Sequence, residues 1–229
     1  MTAGYESELT LLNLFDILIK YSDNNEYVHT DNDGDFCIKT SGHTIFIYFE
    51  QSDSWGDWMS NFDFPATAYK NSDTPWNVHR GFLRVWKSMK NNIEKDVKRI
   101  INERRINEII CVGYSHGAAI CGLCVEDLRY MLDDNPDIYI HGYGFGCPRF
   151  TWGRLPREVK ERLDSFYVIR NGRDIVTHVP PKILGYGHGP NKIIKIKPYK
   201  KYNCVDAHRP ESYHDELTLF TDYKIQRNK

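Results

Sequence analysis

The sequence predicts an α/β fold with a mostly parallel central sheet, an N-terminal antiparallel hairpin and helices on both faces. Runs of β-forming residues alternate with longer runs of helical period, the order expected when helices join parallel strands. One run, Ile109-Ile110-Cys111-Val112, is apolar without alternation, as a strand covered on both faces requires. No repeat, low-complexity run or Pro/Gly-rich linker divides the 229 residues, so residues 1–229 are read as one domain.

Taken in order, residues 5–22 carry Leu, Phe and Ile at helical spacing. Residues 36–40 and 44–49 are β-type and flank Ser41-Gly42-His43, a short hairpin connection. From Gln51 to Asn77 periodicity is lost and Gly, Asp, Ser, Asn, Pro and Trp accumulate, which reads as a long irregular segment. From Arg80 to about Arg105, Phe82, Trp86, Met89, Ile93, Val97 and Ile100 recur near a 3.6 period, and most of the charge falls on the opposite face. The buried strand 109–112 follows, then Gly113 to Gly117, then a small-residue helix from Ala118 to Met131. Residues 138–145 form a further strand ending in Gly146-Cys147-Pro148-Arg149. A short helix over 157–163 precedes a strand over 165–170 that runs into the turn pair Asn171-Gly172. Residues 192–197 alternate apolar and basic, as an edge strand does, and 213–223 are helical.

Composition excludes several classes. With 41% hydrophobic residues, 30 Lys plus Arg and 31 Asp plus Glu, the chain is neither disordered nor biased towards nucleic acid. The apolar stretch from Leu9 to Ile19 is broken by Thr10, Asn13 and Asp16, too short and too polar to cross a bilayer. Residues 1–14 carry acids where a secretory leader carries basic residues, so a cytoplasmic location is expected. The six cysteines are then read as reduced, buried thiols. Cys121 and Cys124 have no second Cys or His pair at zinc spacing, and no metal or other cofactor is expected.

Gly113-Tyr114-Ser115-His116-Gly117 matches G-x-S-x-G, a pattern that chance supplies roughly 0.06 times in a chain of this length. Here it follows a buried strand and opens a small-residue helix. In that context the glycines allow a sharp strand-to-helix turn that presents the serine as a nucleophile. A serine hydroxyl needs a base, and the base needs an orienting carboxylate. Asp174 stands just past a strand, where α/β sites collect.

These blocks together resemble the class 3 lipases, the small α/β-hydrolases that include the fungal triacylglycerol lipases, in their compact microbial and viral form. The matching segments run from residue 44 to residue 213. They include Phe49-Glu50-Gln51-Ser52, Val78-His79-Arg80-Gly81-Phe82-Leu83, the Ser115 elbow, Gly144 to Arg149, Asn171 to Pro180 and Ala207 to Tyr213. The resemblance implies an α/β-hydrolase fold with Ser115 as nucleophile and Asp174 as the orienting acid. Its pattern of a His a few residues before a Tyr favours His208, ahead of Tyr213, as the base; His214 is the alternative. The oxyanion hole is expected from the amides of His116 and Ser52. Ser52 follows Glu50-Gln51 where the family has Arg-Gly, a departure from the pattern. A short lid over residues 53–64 would bring Trp55, Trp58, Met59 and Phe62 towards substrate, although an aromatic cluster at such mixed spacing also suits a packed loop.

The activity that the resemblance implies is hydrolysis of carboxylic (acyl) esters, of lipids in the family's manner, through an acyl-enzyme. A phospholipase or acyltransferase would use the same triad, and a catalytically silent lipid- or protein-binding module would keep the same fold. The expected partner is a small-molecule or lipid ester, with transient contact at a lipid interface; oligomeric state is left open. The run containing Lys192, Lys195, Lys197, Lys200 and Lys201 is read as an edge strand protected by charge, with contact to phospholipid headgroups as the second reading.

Overall fold

The computed structural model describes residues 9–23, 27–29, 34–50, 65–70, 74–189 and 192–220. Its main sheet holds seven strands. In chain order these are β1 (Val28–His29), β2 (Asp35–Ser41), β3 (Thr44–Phe49), β6 (Glu108–Tyr114), β7 (Tyr139–Phe145), β9 (Phe166–Asn171) and β11 (Ile193–Ile196). That is also their spatial order: β1, β2 and β3 pair antiparallel, and every pairing from β3 through β6, β7 and β9 to β11 is parallel. The hairpin and the parallel centre are as expected, and β11 does lie at the sheet edge.

Helices cover both faces because the central strands are apolar on both sides. Ile45, Ile47, Ile109 and Val168 face one core, against α2 (Arg80–Glu103) and α3 (His116–Met131). Phe46, Tyr48, Ile110, Val112 and Ile169 face the other, against α1 (Leu11–Asp23) and α5 (Pro210–Leu219). The alternation along each strand divides its side chains between the two cores. On α2 the period read from sequence is the buried stripe: Phe82, Trp86, Met89, Ile93, Val97 and Ile100 all lie inward. The His79 side chain caps this helix by accepting from the Gly81 amide at 3.1 Å. Trp86 is fully buried, and its truncation to Ala would cost about 3–5 kcal/mol.

The segment expected to be irregular contains structure. β4 (Ala66–Tyr69) and β5 (Trp76–His79) lie within or at the end of it and pair antiparallel. With β8 (Thr151–Trp152) and β10 (Tyr186–Gly187) they form a second, four-stranded sheet in the order β10-β8-β5-β4. Strands of two to four residues carry too little alternation to be read locally, and β5 finds β8 only because the fold brings residues 78 and 151 together. The short helix expected over 157–163 is α4 (Arg157–Arg162), and other helix boundaries shift: α3 starts at His116 rather than Ala118, and α5 starts at Pro210, whose ring suits a first turn. Residues 5–8 and 221–223 of the expected helices lie outside the described residues.

A buried acid ties the second sheet to the helices that cover the main one. On α3, the Asp127 carboxylate accepts hydrogen bonds from the Tyr69 hydroxyl of β4 and the Trp86 indole of α2, and Lys90 Nζ lies 3.0 Å from it. Those donors come from two segments, β4 and α2, and compensate a charge that burial alone would disfavour. Nothing in the local sequence marks Asp127.

Candidate active site

The site begins with the sterics of the turn after β6. Ser115 has φ 54° and ψ −120°, the only non-glycine residue with positive φ among the described residues. The flanking glycines are required by close backbone approach. A Cβ on Gly113 would lie 2.3 Å from the Gly117 carbonyl oxygen, and one on Gly117 would lie 2.4 Å from the carbonyl oxygens of both Phe49 and Glu50. Strand, elbow and the chain leaving β3 therefore pack backbone to backbone. The Ser115 amide donates to the Phe145 carbonyl at 2.9 Å, which ties the turn to β7.

His208 ends a single 3₁₀ turn, Asp206–His208, immediately before α5. Its Nε2 lies 2.9 Å from Ser115 Oγ, and its Nδ1 lies 2.9 Å from Asp174 Oδ2. A carboxylate only accepts, so Nδ1 carries the proton that faces Asp174, leaving Nε2 of the neutral ring as the acceptor for the serine hydroxyl. Two neighbours set the ring. The Tyr114 ring stacks on it at 5.2 Å and 19°, the Tyr114 hydroxyl donates to the His208 carbonyl, and Gly146 leaves room beneath it. At Gly146, φ +58°, an added Cβ would be 2.8 Å from His208 Cε1.

Asp174 is wholly buried just past β9. Its Oδ1 accepts from the Val176 amide at 2.9 Å, and Oδ2 accepts from the Tyr213 hydroxyl at 2.6 Å as well as from His208. Burial, and then the negative charge of Asp174, hold the Tyr213 phenol well above its usual range, so it remains a donor. Asn171 completes the frame: its amide donates to the Tyr213 oxygen at 3.1 Å, and its Nδ2 donates to the Ala207 carbonyl at 3.1 Å. Asn171 thus links the acid loop to the histidine loop, although the sequence marked it only as a turn residue.

The other candidates are placed as follows. His116 is half-buried, with its ring 5.2 Å from Phe82. Burial, and then the nearby His79 and Arg84, bring its pKa down to about 4, so the ring stays neutral. Its amide is among the first N–H groups of α3, which have no carbonyl partner within the helix. Ser52, Trp55, Trp58, Met59 and Phe62 lie outside the described residues. His214 is not brought to the site: it lies on the outer side of α5, with its side chain 55% exposed and Nε2 3.6 Å from Asp16 Oδ1. His208 sits in the 3₁₀ turn ahead of α5, whereas His214 lies on the outward side of a helix that packs only one face inward. His178 is exposed, with Nδ1 3.0 Å from the Asp174 carbonyl oxygen, and His188 is buried with Nε2 2.9 Å from the Cys147 carbonyl. Five cysteines are buried thiols, as expected; Cys204 is exposed, because it lies in the surface loop before the His208 turn. Among the described residues no group of three or more His, Cys, Asp or Glu is placed to hold a metal ion.

A strained serine elbow on a mostly parallel sheet, faced by a histidine and a buried aspartate, defines this as an α/β-hydrolase fold with a serine-type triad geometry. Residues 46–184, more than half of the chain, match the class 3 lipase family, and the chain belongs to that family. A secreted mono- and diacylglycerol lipase of Malassezia globosa is 31% identical over 146 residues, covering 63% of this chain and 47% of the relative. A lipase of Rhizomucor miehei is 27% identical over 148 residues, covering 65% of this chain and 40% of the relative. The chain spans about half the length of the curated relatives it matches. Among solved structures, the triacylglyceride lipase of Rhizomucor miehei superposes with a TM-score of 0.65 at 20% identity, covering 81% of this chain and 78% of that one, a likeness of fold. Relatives from Malassezia globosa and Malassezia restricta are named secreted lipases, which contradicts the cytoplasmic location expected from residues 1–14. The charge of a terminal stretch is a weaker guide to compartment than relatedness across the core.

Proposed function

We propose that the protein is a serine hydrolase that cleaves acyl esters of lipids, with Ser115, His208 and Asp174 as its triad and the whole chain as one catalytic domain. The observation that carries this is the unbroken line from Ser115 Oγ through His208 to Asp174 Oδ2, with both hydrogen bonds 2.9 Å. Acylglycerols are the proposed substrates, in keeping with the names of the related lipases. No helix among the described residues is long and apolar enough to cross a membrane.

In this reading Ser115 Oγ attacks the ester carbonyl while His208 Nε2 takes its proton. Asp174 keeps the imidazole in the required tautomer and favours the imidazolium that forms. The developing oxyanion is met by the amides of His116 and Ser52, each such donor contributing about 2.7–4 kcal/mol to the transition state. His208 then gives its proton to the leaving alcohol, and a water deacylates Ser115 by the same route in reverse. Residues 53–64, with Trp55, Trp58, Met59 and Phe62, are proposed as a short lid over the acyl site.

A fluorophosphonate probe and a short-chain p-nitrophenyl ester test the proposal together. Covalent labelling at Ser115, and loss of both labelling and turnover in Ser115→Ala with an unchanged fold, are expected. Turnover retained in Ser115→Ala would overturn the mechanism, and absence of labelling in the unmodified protein would make the chain a silent binding module.

A further inference from the structure

The chain is nearly neutral as a whole, yet its charges are unevenly spread. Between residues 165 and 205 there are eight Lys and Arg and one acid, Asp174, which is buried in the site. Lys192 is paired with Asp164 at 2.8 Å and Lys200 with Asp215 at 2.5 Å. Arg170, Arg173, Lys182, Lys195, Lys197 and Lys201 form no ion pair among the described residues.

Some of these cations are held together by the fold. β11 pairs with β9 in a register that sets Lys195 beside Arg170 on one face of the sheet. Like charges in that relation are destabilising. Arg170 Nη1 also lies 3.2 Å from His178 Nε2. Arg149 approaches the same turn, its Nη1 donating to the carbonyls of His178 at 2.5 Å and Pro180 at 3.0 Å. Among the described residues no carboxylate forms an ion pair with Arg170 or Lys195, and an anion opposite them would relieve their repulsion.

Beside the cations the same loop presents apolar surface. In the turn Lys182–Leu184, Ile183 is 94% exposed and Leu184 51%. The turn is braced: Trp152 Nε1 donates to the Leu184 carbonyl at 2.8 Å, the Gly185 amide donates to Lys182 at 2.9 Å, and β10 follows at once, paired to β8. A large aliphatic side chain fixed in water on a hydrogen-bonded turn gains nothing within this fold.

We propose that the turn Lys182–Leu184, together with the Arg170–Lys195 pair that meets the same loop at His178, docks on an anionic phospholipid surface. Headgroup phosphates would lie against the cations, and Ile183 would enter the acyl region. The cations alone would suit any polyanion and the exposed Ile183 alone an apolar groove; their combination suits a charged lipid–water boundary. The loop descends directly from Asp174, so docking there brings the triad to the phase that holds a lipid ester. The inference rests on the lipid-ester reading for its purpose, while its test reads binding itself.

Full-length Ser115→Ala protein is sedimented with vesicles of phosphatidylcholine alone and of phosphatidylcholine mixed with phosphatidylglycerol. Partition to the mixed vesicles only, weakening with added salt, is expected. Lys182→Gln and Lys195→Gln should each lower that partition about fivefold. Ile183→Ser should lower it while keeping the salt dependence. In the Ser115 background the three variants should hydrolyse a soluble short-chain ester at the unmodified rate. Equal partition to neutral vesicles, partition unchanged in both Lys variants, or binding to a DNA duplex as tight as to the mixed vesicles would overturn the proposal. Failed binding with intact fluorophosphonate labelling would remove the docking face and leave the hydrolase reading standing.

Discussion

The Tyr213 hydroxyl donates to Asp174 Oδ2 at 2.6 Å while accepting from the Asn171 amide at 3.1 Å. One phenol therefore joins the last helix to the acid loop and supports the carboxylate that faces His208. Tyr213→Phe keeps the ring but leaves the Asn171 N–H without its acceptor and removes a hydrogen bond to a charged group. Stability should fall by about 1–3 kcal/mol, read from the urea midpoint. The kcat on a soluble ester should fall about 10- to 100-fold with little change in KM, since no substrate contact is lost. An unchanged kcat would show that Asp174 needs no such support.

Asp174→Asn preserves shape while reversing the hydrogen-bond sense. An amide NH₂ facing His208 Nδ1 would favour the tautomer that places N–H towards Ser115, so the imidazole no longer accepts the serine proton. The expected loss of kcat is about 10³- to 10⁴-fold, by analogy with serine protease triads, with near-normal thermal stability.

Gly146→Ala tests how closely the His208 ring is held. The new methyl would meet the ring at 2.8 Å and would require φ +58° of a residue with a Cβ. A destabilisation of about 1–2 kcal/mol is expected from the backbone alone, and activity should drop further because the ring must move. Thermal melting beside single-turnover acylation separates the two effects.

Asp127 offers a stability test remote from the chemistry. Asp127→Ala strands the Trp86 and Tyr69 donors and the Lys90 charge, so a loss of about 3–5 kcal/mol is expected in denaturant unfolding. Below the melting temperature, fluorophosphonate labelling of Ser115 should proceed at the unmodified rate.

His188 adds an acid sensitivity. Burial is the main cause that brings its pKa from the ordinary 6.5 down to about 4 in the folded protein. Between those values the unfolded chain binds the proton more readily, so stability is full above pH 6.5 and declines as pH falls towards 4. The contribution lost is about 3 kcal/mol. Urea midpoints across that window should fall less steeply in His188→Gln than in the unmodified protein. Parallel slopes would exclude His188 as the source.

The extent of what was legible follows the range of the interactions. The α2 stripe from Phe82 to Ile100 was readable because a helix repeats its environment every few residues. β4, β5 and β8 were not, because short strands depend on partners found by folding. Tyr213 carried a signal, its spacing from His208, but its bond to Asp174 did not. Asn171 read as a turn residue and proved to be a tie between two loops.

The sequence by itself determined the elbow. Gly113, Ser115 and Gly117 meet a steric demand set within five residues, and the buried run after Ile109 supplies the strand they need. The family pattern favoured His208 over His214, six residues on, but only the tertiary structure places one ring against Ser115 and the other towards solvent. Ser115 and His208 are 93 positions apart, and Asp174 and His208 are 34. Only the packing of α5 against the sheet selects which imidazole turns inward, with Tyr114 and Gly146 shaping its place. The same distance effect set Lys195 beside Arg170, since the sequence counts charges while strand register decides which of them meet.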